Sequence, residues 1–141
     1  MFNLFKKRTT FSDEKKTQFV EAIASMLEVQ LVPVGHHSIE SSNGGIKPKA
    51  LGYVYGFIDA ALRTIGQDMS DSSVGIPVTF QVLRHVFPGR EERCLQCLAD
   101  HMGTNKAVTL GALTGGQQYL DVNSGKLSVP MGLARYILEE E

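Results

Sequence analysis

Two stretches of this chain repeat a small residue at every fourth position: Gly52, Gly56 and Ala60, then Ala107, Gly111 and Gly115. Four residues make about one turn of α-helix, so each set lines one side of a helix. With no bulky side chains there, another backbone can approach each strip closely. Three arrangements satisfy the pattern. The strips pack on one another, or on other helices, inside the fold. Alternatively, one strip meets its own copy across a two-fold axis and forms a homodimer. In the third, the missing side chains leave room for a ligand cleft beside Asp59 and Arg63, which are four apart and can pair along the helix.

Apolar spacing elsewhere extends the helical reading. Ser12 suits an N-cap, with Asp13 and Glu14 in a first turn whose dipole favours acids. Phe19, Ile23, Met26, Leu27 and Leu31 follow at helical period, so a helix is expected over 13–31, stopped by Pro33 and Gly35. The polar stretch 33–48 reads as a long loop carrying His36, His37 and the pair Gly44–Gly45. A second helix is expected over 49–67, with a broad apolar arc that suits a central position. Pro77 to Phe87 fits a helix opened by proline, although VTFQVL also alternates like a strand near 77–83. Further helices are expected over 91–102, over 105–121 with a kink at Gly115–Gly116, and from Pro130 onward. Glu139 to Glu141 would end that last helix against its dipole and fray. The expectation is an all-α bundle of five or six helices: a tail over 1–11, then a single domain over 12–141. A length of 141 residues suits one core.

The segment Cys94-Leu-Gln-Cys97-Leu-Ala-Asp-His101 is the most specific chemical pattern. On a helix its two thiols and imidazole fall within about 60° of one another. Thiols one turn apart can form a disulfide, and a histidine a turn further on could move a proton. Arg90 and Arg93 would favour thiolate, while Glu91 and Glu92 would oppose it. The spacing resembles the redox motif of the alkylhydroperoxidase D and carboxymuconolactone decarboxylase-like families, which are small and all-α. That resemblance implies peroxide or disulfide reduction by Cys94 and Cys97 with His101 assisting. It covers eight residues. Where those families carry a glutamate, about a dozen residues before the first cysteine, this chain has Gln81, Val82 and Leu83. Two other readings stand beside it. Leu95, Leu98 and Met102 flank the same side, so the cysteines can be small buried hydrophobes. They can also bind a metal with His101 and a fourth ligand drawn from His36, His37 or His85.

Composition narrows the class. Lys and Arg total 14 against 15 for Asp and Glu, a net charge of -1, which argues against a nucleic-acid binder. No run reaches the roughly 18 apolar residues of a membrane span, and no apolar leader opens the chain. Two cysteines three apart suit a reducing, cytoplasmic setting. Gly44–Gly45 and Lys47 lack P-loop spacing, and no cofactor is expected. His36–His37 and His85 read as solvated side chains. The leading expectation is a helical protein that works by self-association or partner binding without catalysis. A thiol-disulfide enzyme, or a metal binder at the same cysteines, is the alternative.

Overall fold

The computed structural model describes residues 11–34 and 39–140. Residues 1–10 of the expected tail, His36 and His37 of the loop, and Glu141 lie outside the described residues. Six helices follow in order: α1 (Asp13–Leu31), α2 (Pro48–Thr64), α3 (Ser72–Val86), α4 (Glu91–His101), α5 (Lys106–Asn123) and α6 (Gly132–Glu139). Among the described residues there is no strand, only an isolated bridge between Glu40 and Ile46 in the loop before α2. The all-α expectation holds.

Helix α2 is the centre. Its residues from Ala50 to Leu62 are buried except at Tyr55 and Asp59. It packs most extensively against α5 and also touches α6, α4 and α1. The small-residue strips account for that pairing. A Cβ added at Gly52 would lie 2.1 Å from the Val108 carbonyl oxygen, and one at Gly56 only 1.9 Å from that of Ala112. Reciprocally, a Cβ at Gly111 or Gly115 would lie 2.0 Å from the carbonyl oxygen of Lys49 or Tyr53. Partner positions rise together along both helices, so α2 and α5 run parallel. The strips therefore pack on one another within one chain. The expected homodimer through Gly52, Gly56 and Ala60, or through Ala107, Gly111 and Gly115, has no free surface on these faces. Neither strip opens as a cleft, and Asp59 instead pairs with Arg63 at 3.1 Å.

Several boundaries differ from expectation, each for a physical reason. Helix α2 stops at Thr64, because Gly66 takes φ +78°. The Gln67 amide then reaches the Leu62 carbonyl and the Gly66 amide that of Arg63, a Schellman ending. Helix α3 starts at Ser72, five residues before Pro77, because Asp71 caps it by accepting from the Ser73 amide at 3.0 Å. Pro77 sits inside this helix and has no N–H for the Ser73 carbonyl. Lys16 of α1 reaches that carbonyl with Nζ at 3.4 Å. Val74, Val78, Val82 and Val86 form the buried face, so the strand-like alternation near 77–83 is not realised. Helix α5 is continuous through Gly115–Gly116.

Helix α6 begins at Gly132 rather than Pro130. Its first two amides are satisfied by glutamine side chains from other helices. The Gly132 amide donates to Gln118 Oε1 at 3.0 Å, and that of Leu133 to Gln30 Oε1 at 3.0 Å. Tyr53 joins the two glutamines: it accepts from Gln30 Nε2 at 3.2 Å and donates to Gln118 Oε1 at 2.5 Å. Burial pushes the Tyr53 phenol well above its ordinary range, so it stays protonated and can donate.

The far end of α6 clasps the start of α2. Helix α2 has no side-chain cap from its own N-cap residue, Lys47. Instead Glu140 accepts from the Lys49 and Ala50 amides at 3.0 and 2.9 Å. Lys47 Nζ, itself buried, donates to the Ile137 carbonyl of α6 at 2.9 Å. Glu140 therefore meets a favourable helix dipole at α2, although its place at the end of α6 predicts fraying.

Two substitutions test this packing. Gly56→Ala should destabilise the protein in urea unfolding by about 2–3 kcal/mol, since overpacking outweighs the roughly 1 kcal/mol of helix propensity gained. Gly116→Ala, whose added Cβ meets its nearest neighbour at 3.4 Å, should be neutral or stabilising. Glu140→Ala should cost about 1–2 kcal/mol, as loss of a helix cap does.

Candidate functional site

The cysteine motif lies on α4, whose first turn is held by the loop before α2. Glu40 pairs with Arg90 Nε at 3.1 Å and with Arg93, and Arg93 also donates to the Gly44 carbonyl at 2.6 Å. The expected one-sided spacing of Cys94, Cys97 and His101 holds on this helix, but their environments differ. Cys94 is fully buried in the core, Cys97 is half-buried and His101 is exposed. Both thiols are free. Burial, followed by the neighbouring Cys97, pushes the Cys94 thiol up to about 12. Burial and then Asp100 raise Cys97 as well. Arg93 and Arg90 favour the Cys94 thiolate, but Glu40 beside them works against it. A surface groove of about 560 Å³ beside α4 is lined by Ile76, Glu92, Arg93, Leu95, Gln96 and Ala99, and not by the cysteines or His101.

Among the described residues, no group of three or more His, Cys, Asp or Glu side chains converges. His85 is exposed at the rim of a groove of about 480 Å³ between α1 and α3, close to Gln81 and Lys16. Arg84 on the same face donates to Gln81 Oε1 at 2.7 Å. Among the described residues no helix is long and apolar enough to cross a membrane.

The structure draws attention to a surface that the sequence reading passed over. Glycines on one side of α5 press it onto α2, and the opposite side faces solvent. That side carries Leu110, Leu113 and Leu120, which are 53%, 67% and 43% exposed. Gln117 completes the line and donates to Asp121 at 2.9 Å. The spacing of 110, 113, 117 and 120 is 3-4-3, the a/d pattern of a coiled-coil seam. Only two charged residues, Lys106 and Asp121, lie on this helix, one near each end. Other exposed large apolar residues are divided among α1, α3, α6 and the loops, with no comparable line on one element. The 3-4-3 spacing was the available sequence signal, overshadowed by the glycine strip on the same helix.

Compared with family models, with curated proteins and with solved structures, the chain matches none.

The thiol environments set a labelling order. A soluble alkylating reagent at pH 8 should modify Cys97 in the folded protein and reach Cys94 only after unfolding, read by mass spectrometry of the two adducts. Because the Cys94 thiolate forms only as pH approaches about 12, raising the pH from 7 to 9 should not make it reactive while the fold holds. Rapid labelling of both thiols at pH 7 would favour the thiol-disulfide reading.

Proposed function

We propose that this protein is a non-catalytic helical interaction module, which binds a protein partner through the solvent-facing side of α5. The observation that carries the reading is the line of Leu110, Leu113 and Leu120, held outward on α5. Exposed apolar residues scattered singly are ordinary, but a continuous line on one helix face is the form in which helices recognise other helices. The distribution of charge agrees with this. Helix α1 presents Asp13, Glu14, Lys15 and Glu21 to solvent, whereas α5 presents only Lys106 and the half-exposed Asp121. A face with one lysine has little attraction for an anionic membrane, which favours a protein partner over a lipid surface.

Burial of the Cys94 thiol and its raised pKa speak for the non-catalytic reading over a thiol-disulfide enzyme. Two free cysteines suit a reducing, cytoplasmic setting.

The test is site-specific photo-crosslinking in expressing cells. A benzoylphenylalanine placed at Leu113 should give a discrete higher-mass adduct. The same group placed at Ser25, exposed on α1, should give none. Absence of any adduct from position 113, or equal adducts from both positions, would overturn the proposal.

A further inference from the structure

Resting on that reading of α5, we infer that its partner is a second copy of this chain, bound antiparallel along the same face. Four features of the helix lead there.

First, the seam matches itself. When two α5 helices run antiparallel about a two-fold axis at residue 115, a positions meet d positions. Leu110 of one copy then lies against Leu120 of the other, and Leu113 against Gln117. All four layers are filled, with a leucine in each. Second, Gln117 is the one polar residue of the seam. Its amide already donates to Asp121 of its own helix at 2.9 Å, so it can lie against Leu113 of the other copy without needing a partner there. Third, the charges select the direction. Lys106 opens α5 and Asp121 lies in its last turn. Antiparallel pairing brings Lys106 of each copy to within about one turn of Asp121 of the other, along an axis that rises about 1.5 Å per residue. Parallel pairing would set lysine beside lysine and aspartate beside aspartate. Fourth, among the described residues the surface is free: α5 is held from behind by α2, with α6 at one edge.

Helix size also sets the strength. Eighteen residues span about 27 Å. One face of that length buries a few hundred Å² per copy, below the roughly 800 Å² of a standard interface. An interface below the standard size belongs with weak, reversible associations, so the dimer is expected to dissociate on dilution.

Sedimentation equilibrium of the purified protein across about 5–500 µM tests the inference. The expected result is a reversible monomer–dimer equilibrium. Leu113→Glu should weaken it at least about tenfold, since two-fold symmetry places the new carboxylate in the interface twice. Leu113 is exposed, so the monomer's circular dichroism and thermal midpoint should not fall. Lys106→Asp alone, or Asp121→Lys alone, should weaken the dimer, and the double swap should restore it. Each swap improves the charge at its own end of the helix, so a lost dimer would not reflect lost folding. A monomer at every concentration, no effect of Leu113→Glu, or no restoration by the double swap would overturn the inference. A monomeric protein that still gives a Leu113 adduct with a different protein would remove the second copy and leave the interaction module standing. No adduct and no dimer would remove both.

Discussion

Between α2 and α5 two backbones touch, and no side chain stands between them. Carbonyl oxygens of Val108 and Ala112 occupy the space beside Gly52 and Gly56, and those of Lys49 and Tyr53 the space beside Gly111 and Gly115. Much else follows from this contact. Parallel neighbours cannot be joined by a short turn, so α3 and α4 form the return path between them. Packing of α3 on α1 and of α4 on α3 closes that path over the core. The contact also decides what α5 shows to solvent. At about 100° per residue, its leucines lie roughly opposite its glycines. Pressing the glycine side onto α2 leaves the leucine side no route inward.

A second dependence runs through polar groups. Helix α6 has eight residues, too few to be stable alone. It is held because its first amides find Gln118 and Gln30, and because Tyr53 ties those glutamines together. Four helices thus meet at one buried hydroxyl. A buried hydroxyl or amide without partners would cost free energy, so the network resists any slippage that would leave one member unpaired. The glycine contact tolerates no widening and the network tolerates no sliding. Together they fix α5 rigidly enough for its outer face to have a defined shape.

Sequence patterns captured what depends on nearby residues. The start of α1 at the Ser12 cap, its end at Leu31, and the close approach along both glycine strips are local signals and were legible. The early start of α3 was not, because the Ser73 carbonyl orphaned by Pro77 is met by Lys16, 57 positions away. Capping of α2 by Glu140 was equally hidden. Periodicity places residues on a common face but does not say where the face points. Cys94, Cys97 and His101 do share one side of α4, yet that side runs from core to solvent along its length. Nor could spacing tell which glycine strip was covered by which partner. The line from Leu110 to Leu120 was in plain view, but its outward direction depends on how α5 docks.

Glu140 caps α2 from 91 positions away. On a ribosome adding about 5–20 residues per second, the start of α2 waits roughly 5–20 s for its cap. During that interval the Lys49 and Ala50 amides are served only by water, and the Lys47 ammonium lacks the Ile137 carbonyl. The growing chain thus holds its central helix open at one end until α6 has emerged. Completion of the helix at the centre of the fold is thereby tied to the synthesis of α6.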